Sequence, residues 1–291
     1  ALARRATRAA AEAGVPTARP LPLAGRDVDA DRAFASEGAI YEVFAFVSGR
    51  RYSGDRGEAA DATRVLADLH AGLDRLSSPE RDADGPNGPS GPRADLGLLV
   101  RVLREQGLAD DRDVAASLER LEHDRGRADA ALRGERAMPG ADENAGVGLI
   151  HGDYHPGNLI FRDGRVAAVL DFGSVRRGPR AAELAAACLH LALIRHGTDP
   201  AGWPVAPDAG PMAAAWAAYA GAADAAGRWC PGRIDAESAP WRMIEAVIEE
   251  TVMRAAAGAS LDSVRYAARV TAWLCEHAGG VGAVLAEARR D

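Results

Sequence analysis

The feature that most constrains this chain is the run His-Gly-Asp-Tyr-His-Pro-Gly-Asn at residues 151–158, followed thirteen residues later by Asp171-Phe172-Gly173. It places the carboxylate of Asp153 in a tight turn and the amide of Asn158 five residues further on. The second carboxylate, Asp171, comes after a gap of hairpin length. This order predicts that a short turn and a hairpin separate three polar side chains that lie close together in the fold.

The residues around the run predict short strands. The apolar pair Leu149-Ile150 indicates a strand that enters the run. Two more strands, 159–161 and 166–170, are joined by a turn at Arg162-Asp163-Gly164-Arg165. The Asn before this hairpin and the Asp after it would therefore lie at the same end, close enough to hold one ion.

These side chains are the parts that phosphoryl transfer needs. A carboxylate orients the attacking hydroxyl and accepts its proton, while an amide oxygen and a second carboxylate hold Mg²⁺ against the phosphates. Asp153 is therefore the candidate catalytic base, and Asn158 and Asp171 are the candidate metal ligands. Each motif alone is a weak signal, but the two in order, with strands between them, disfavour a chance occurrence.

The pattern resembles the catalytic loop and metal-binding Asp of the kinase fold. The sequence from Leu149 to Asn158 is similar to the corresponding motif of the aminoglycoside phosphotransferase family of small-molecule kinases. Protein kinases usually carry Arg and Leu where this chain has Gly152 and Tyr154, and no Ala-Pro-Glu segment follows Asp171. The resemblance covers about residues 14–192 and implies an α+β, kinase-like bilobal fold. We expect a truncated small N-terminal lobe with the hinge at 1–48, and a large, mostly helical catalytic and substrate-binding lobe at 49–291.

The resemblance also implies roles for individual residues. The hinge would bind the adenine of ATP through backbone groups of Phe44, Ala45, Phe46 and Val47. Glu183, in the helix that follows a Gly-Pro turn, would brace the catalytic loop, although the family usually has the shorter Asp there. His151 would shape the loop. His155 either touches substrate or phosphate, or is an ordinary loop histidine.

The chain contains no lysine: all 35 residues counted as Lys or Arg are arginine. The kinase fold uses a strand lysine, a helix glutamate and a glycine-rich loop to hold the phosphates. No glycine-rich strand-turn-strand precedes Ala39, and the resemblance implies that the glutamate lies just before Ala1. Residues 1–13 predict a helix similar to the small-lobe helix from its middle onward. Because the sequence begins in mid-helix and without Met, we expect the missing parts to lie upstream of Ala1. The alternative is a catalytically silent binding module that has lost them.

Charge and cysteine content exclude several partners. A net charge of −7 disfavours a nucleic-acid partner. Cys188, Cys230 and Cys275 have neither disulfide nor metal-ligand spacing, which predicts a reducing, cytoplasmic environment. No apolar run approaches the roughly 18 residues of a membrane span, so no membrane partner is expected. The sequence leaves the oligomeric state open.

Helical periodicity accounts for most of the remaining chain. Besides the N-terminal helix, the predicted helices are 58–76, 95–106, 114–132, 181–194, 211–228, 241–257 and 261–277. Residues 39–47 predict the last small-lobe strand running into the hinge. Residues 77–93 are rich in Pro, Gly, Asp and Asn without a hydrophobic period, which predicts a mobile surface loop.

The acceptor is the least constrained part of the prediction. Glu245 and Glu249 lie one helical turn apart, where like charges repel unless a cation joins them. A cationic acceptor such as an amino sugar or amino alcohol would supply it. The alternative is a solvated acidic face offset by Arg242 and Arg254. Seven aromatic residues in the last third either wall a sugar or nucleoside pocket or fill the helical core: Trp203, Trp216, Tyr219, Trp229, Trp241, Tyr266 and Trp273.

Taken together, the residues and the resemblance predict an ATP- and Mg²⁺-dependent O-phosphotransferase. It would transfer the γ-phosphoryl group to a hydroxyl of a small molecule. An antibiotic acceptor, aminoglycoside-like or a nucleoside, would make it a resistance or self-protection enzyme. Homoserine, choline-like amino alcohols and sugars are open alternatives.

Overall fold

The computed structural model describes residues 2–21, 33–36, 39–76, 96–134, 146–195, 199–258 and 260–289. The predicted loop at 77–93 lies outside these residues. The N-terminal part contains helix α1 (Leu2–Glu12) and the antiparallel strands β1 (Ala33–Ser36) and β2 (Ala39–Glu42), with Ala33 opposite Glu42. Strand β2 ends earlier than predicted, and an extended segment continues to residue 55.

Four strands build the centre of the chain. Strand β3 (Val147–Ile150) pairs antiparallel with β6 (Arg176–Pro179), and β4 (Leu159–Arg162) pairs antiparallel with β5 (Arg165–Val169). The sequence predicted three of these strands but not β6, because Arg-Arg-Gly-Pro has neither the alternation nor the branched residues of a typical strand.

Helices form the rest of the described chain. They are α2 (Arg56–Leu73), α3 (Leu96–Glu105), α4 (Arg112–Gly134), α5 (Arg180–Ala192), α6 (Ala209–Ala225), α7 (Arg233–Ala256) and α8 (Leu261–Ala288). No helix in the part of the chain that the structure describes is long and apolar enough to cross a membrane.

Two of the predicted helix ends are wrong. Helix α7 begins at Arg233 instead of residue 241, because Pro240 is accommodated inside the helix, where its missing N–H removes one backbone hydrogen bond. Helix α8 continues to Ala288 instead of 277, through Gly279, Gly280 and Gly282. One of them, Gly282, lies so close to the α7 backbone at Glu237 that a side chain would contact it at 3.2 Å.

The core lies between the helices of the C-terminal part. Helix α2 packs against α6, α7 packs against α8, and α5 contacts both pairs. Burying each large apolar side chain contributes about 1.5–3 kcal/mol. Fully buried side chains include Leu66, Leu69, Leu73, Leu184, Leu189, Leu191, Trp216, Tyr219 and Met243. This core holds α2, α5 and α6 rigidly behind β3 and the loop that follows it.

Candidate active site

The loop after β3 and the β4–β5 hairpin bring the three predicted polar residues to one place. A short 3₁₀ turn at Pro156–Asn158 leads into β4. The hairpin turn uses left-handed backbone at Asp163 (φ 52°) and Gly164 (φ 75°), as a tight two-residue connection requires. The Leu170 N–H donates to the Asn158 carbonyl at 2.9 Å, so Asn158 and Asp171 flank the same end of the hairpin, as the spacing predicted.

Asp153 is a half-buried carboxylate held by two neighbours. The Asn158 side-chain amide donates to its Oδ2 at 3.0 Å and to its carbonyl at 2.9 Å. The His155 Nε2 lies 3.4 Å from its Oδ1. The hydrogen bond with His155 lowers the pKa of Asp153 below its usual value, although burial opposes the shift. The group is therefore a carboxylate at neutral pH, the form that accepts a proton.

Asp171 lies exposed at the end of β5 in the left-handed conformation (φ 55°), and its side chain accepts from Gly173 N–H at 3.2 Å. The amide oxygen of Asn158 and this carboxylate are the hard oxygen donors that Mg²⁺ prefers, so the residues fit the ion. Among the described residues, no group of three or more His, Cys, Asp and Glu is arranged to hold a metal. Mg²⁺ usually keeps several waters and takes phosphate oxygens as ligands, so two protein oxygens are enough to hold it beside a nucleotide.

His151 connects the loop to the Asp171 segment. It is fully buried, its Nε2 donates to the Leu170 carbonyl at 2.9 Å, and its ring lies 5.1 Å from that of Phe172. Tyr154 anchors the other side of the loop, because its hydroxyl donates to the Ala62 carbonyl of α2 at 2.7 Å. The loop is therefore tied to the Asp171 segment through His151 and to α2 through Tyr154.

Glu183, in the first turn of α5, accepts three N–H groups. They are the backbone N–H of Gly152 at 2.6 Å, that of His151 at 3.1 Å and the His70 Nε2 at 2.7 Å. Burial raises the pKa of Glu183, but the hydrogen bonds, led by that from His70, outweigh it and hold the pKa below its usual value. The expected contact between this acid and the catalytic loop is therefore present, with Glu in place of Asp.

His70 extends this network into the core. Burial lowers its pKa, so the ring is neutral. A neutral ring that donates through Nε2 to Glu183 accepts at Nδ1, where the Tyr219 hydroxyl lies at 2.7 Å. Tyr219 on α6 thus fixes the tautomer of His70 on α2, and His70 orients Glu183 on α5.

A cavity of about 760 Å³ opens beside Asp153 and His155. Its far wall is α7, which contributes Glu245 and Glu249. Arg176 lies between the two walls: one guanidinium nitrogen donates to the Gly152 carbonyl at 2.9 Å and the other lies 3.9 Å from Glu249. The seven aromatic residues of the last third do not line this cavity.

The predicted adenine-binding residues form an extended segment between β2 and α2. The Ala45 N–H already donates to the Arg19 carbonyl at 2.8 Å. Phe44 and Phe46 are exposed, Phe46 to 92%, while Ala45 and Val47 are partly buried. Gly49 then approaches β4 so closely that a side chain there would collide with the carbonyl of Phe161. Two backbone hydrogen bonds between Arg50 and Phe161, each 2.8 Å, hold the segment against the β4–β5 hairpin.

The model of the phosphotransferase enzyme family (APH) matches residues 2–231. This chain belongs to that family. No curated protein sequence matches the phosphotransferase. This match confirms the predicted resemblance to small-molecule phosphotransferases. Membership of the family shows that the chain is a small-molecule kinase.

Solved structures show that the phosphotransferase has the kinase-like α+β fold. It is similar to an aminoglycoside phosphotransferase from Alicyclobacillus acidocaldarius, with a TM-score of 0.63, 17% identity and coverage of 99% of this chain and 82% of that one. It is also similar to an ethanolamine kinase from Plasmodium vivax (TM-score 0.56, 12% identity, 96% and 73% coverage). A third similar structure is an amicoumacin kinase in complex with AMP-PNP, Ca²⁺ and Ami (TM-score 0.56, 14% identity, 94% and 77% coverage).

Three site residues of the phosphotransferase were not predicted. They are His70, which binds Glu183; Tyr219, which the sequence left undecided between pocket and core; and Arg176, which binds Gly152. In the sequence, His70 is a histidine within an apolar helical stripe. Such a pattern predicts that the side chain is buried, but it does not identify the residue that it binds.

Proposed function

We propose that this phosphotransferase moves the γ-phosphoryl group of ATP to a hydroxyl of a small molecule, with Asp153 as the base. The observation that carries this proposal is the position of Asp153. It lies at the edge of a large cavity on one side, and on the other it accepts a hydrogen bond from Asn158, at the end of the hairpin where we propose that the metal binds.

The acceptor hydroxyl would enter the cavity and donate its hydrogen bond to Asp153. As its oxygen forms a bond to the γ-phosphorus, the bond from that phosphorus to the β,γ-bridging oxygen breaks and ADP leaves. The hydroxyl proton passes to the Asp153 carboxylate. Catalysis of phosphoryl transfer depends mostly on positioning and electrostatics. The main contribution of Asp153 would therefore be to hold the hydroxyl in line with the bond that breaks at the γ-phosphorus.

Asn158 and Asp171 would hold Mg²⁺, which neutralises charge on the β- and γ-phosphates when it is bound. The extended segment from Phe44 to Val47 would contact adenine through its backbone and aromatic side chains. The Ala45 N–H is already engaged, since it donates to the Arg19 carbonyl. His151 and Glu183 would keep the loop in shape, and His155 would keep Asp153 ionised.

Glu245 and Glu249 would face an amine on the acceptor. Antibiotics and amino alcohols are both open as acceptors, since the similar structures include an aminoglycoside phosphotransferase and an ethanolamine kinase. An antibiotic acceptor would give the chain a role in resistance or self-protection.

The test is ADP release with Mg²⁺ and ATP across a panel of hydroxylated antibiotics and amino alcohols, with product mass as confirmation. Asp153→Asn should lower kcat by about a hundredfold or more, because it removes the base without changing side-chain volume. Asp163→Asn, in the exposed hairpin turn, is the matched control and should retain turnover. Wild-type turnover in Asp153→Asn would remove Asp153 from the role of base.

A further inference from the structure

The cavity beside Asp153 is large for a simple amino alcohol. Its volume is about 760 Å³. A molecule of four non-hydrogen atoms such as ethanolamine fills roughly 120 Å³, if each of these atoms with its hydrogens occupies about the 30 Å³ of a water molecule. Pockets of several hundred Å³ are the size that drug-sized ligands fill. The volume therefore favours a bulky acceptor.

The charges on the wall do not favour a polycation. Among the residues that the structure describes, six arginines line the cavity against five acidic residues: Arg51, Arg176, Arg177, Arg195, Arg242 and Arg254 against Asp153, Glu183, Glu245, Glu249 and Glu250. Asp153 is reserved for the acceptor hydroxyl, and Glu183 is engaged by the loop and His70. Three glutamates on α7 are left to meet a cationic substrate.

Two of these three are already paired closely. Glu245 accepts from Arg242 at 2.9 Å, and Glu250 lies 2.6 Å from Arg254 and 3.3 Å from Arg195. Glu249 has the longest contact, 3.9 Å to Arg176, and its carboxyl is partly buried. Burial raises the pKa of Glu249, as expected for a carboxylate whose cation partner is too distant to offset desolvation. One carboxylate is therefore open to one ammonium group.

An aromatic cage next to the cavity is filled by the chain itself. The Arg195 guanidinium lies 5.6 Å from the Trp203 ring and 5.3 Å from the Tyr266 ring, in reach of Glu250. Two rings and a carboxylate form the kind of site that binds an organic cation. Because Arg195 occupies it, the cage offers no second cation site to an acceptor.

Part of the remaining wall is apolar. Leu193, Ile194, Ala246 and Met253 line the cavity, and Met253 is 67% exposed to solvent. An exposed methionine at the mouth of a pocket is typical of a surface that accommodates irregular apolar groups.

We infer that the acceptor is a bulky hydroxylated molecule with a largely apolar body and at most one cationic group, which faces Glu249. This inference rests on the proposed phosphotransferase function and narrows it: neither a polyamino sugar nor a small amino alcohol is the preferred acceptor. The site combines Asp153, which would accept the hydroxyl proton, with the open carboxylate of Glu249 and an apolar wall.

The test separates size from charge by calorimetry on the intact chain without nucleotide. Erythromycin and tylosin are bulky and carry one amine, kanamycin is bulky and carries four, and ethanolamine is small and carries one. The two macrocycles should bind at least about tenfold more tightly than kanamycin or ethanolamine, a difference of about 1.4 kcal/mol.

Two variants connect the preference to the wall charges. Glu249→Gln should weaken macrocycle binding about tenfold, because it removes the partner of the single amine. Glu276→Gln, an exposed residue on α8, is the control and should leave binding unchanged. Arg254→Gln should strengthen kanamycin binding about tenfold, because Glu250 then loses one of its two arginines.

Tighter binding of kanamycin or ethanolamine than of both macrocycles, or no macrocycle binding at all, would overturn the inference. ADP release is measured on the same preparations to separate the two proposals. If the ligands bind with the expected order of affinities but no phosphoryl group is transferred, the result counts against the proposed reaction. If kanamycin or ethanolamine is phosphorylated in preference to the macrocycles, the result counts against the acceptor class alone.

Discussion

The backbone N–H of Gly152 donates to the Glu183 carboxylate at 2.6 Å, so an acid on α5 holds the residue immediately before Asp153. The carbonyl of the same glycine accepts from Arg176 at 2.9 Å. Gly152 is thus fixed through both of its backbone groups, from α5 and from β6. Because Asp153 follows directly, the direction of its carboxylate depends on these two contacts.

Glu183→Asp should lower both stability and turnover. Aspartate is one methylene shorter and cannot reach the Gly152 N–H, the His151 N–H and His70 together, since His70 is placed for the longer side chain. The loss of one buried hydrogen bond costs about 1–3 kcal/mol. Urea unfolding should show this loss, and kcat should fall about tenfold with little change in KM for ATP. Glu105→Asp, an exposed residue on α3, is the control, and equal stability of Glu183→Asp and wild type would contradict the bracing role.

Gly152→Ala should be more damaging than the same change at Gly164. Both glycines have positive φ, 82° and 75°, so each substitution carries a backbone penalty of about 1–2 kcal/mol. A side chain at position 152 would also collide with the Ser174 carbonyl and with Arg176, whereas position 164 is open. The difference in free energy of unfolding isolates the collision from the backbone strain. Equal destabilisation by the two variants would show that the loop has room to move.

The sequence predicted the geometry of the loop at 151–158 well because its motif fixes the local structure. A hairpin that begins after Asn158 and ends before Asp171 brings these side chains to one end whatever surrounds it, and the structure shows that arrangement. The network through His70 and Tyr219 was not predictable, because it joins three helices that are distant in the sequence and meet only when the core packs. Strand β6 was missed for the same reason: its partner β3, and not its own residues, makes it a strand.

Acid should destabilise the fold from about pH 6.5 downward. Burial lowers the pKa of His70 from 6.5 and that of His190 to about 4. Below pH 6.5 the unfolded chain therefore binds protons that the folded chain does not, and stability falls as pH falls. Each histidine contributes at most about 1.4 kcal/mol per pH unit over this range. The lowered pKa of Glu183 acts in the same direction below its ordinary value of 4.5.

The variant His70→Gln tests this assignment. A glutamine amide can donate to Glu183 and accept from Tyr219 without titrating, so it keeps the network but removes its proton dependence. Urea midpoints between pH 7.5 and 5 should fall less steeply for the variant than for wild type. Parallel pH profiles would mean that His70 is not a source of the acid sensitivity.

Asp171→Asn should weaken metal-dependent nucleotide binding more than metal-free binding. The change keeps the side-chain shape but removes the negative charge that Mg²⁺ prefers, while ATP also contacts groups that do not depend on the ion. Asp163→Asn is a close control, because Asp163 is likewise an exposed aspartate with positive φ, 52° against 55°, at the other end of the same strand pair. Calorimetry with ATP, with and without Mg²⁺, should show a larger magnesium effect in wild type and Asp163→Asn than in Asp171→Asn. If Asp171→Asn weakens ATP binding equally in both conditions, Asp171 contacts the nucleotide directly and the ion lies elsewhere.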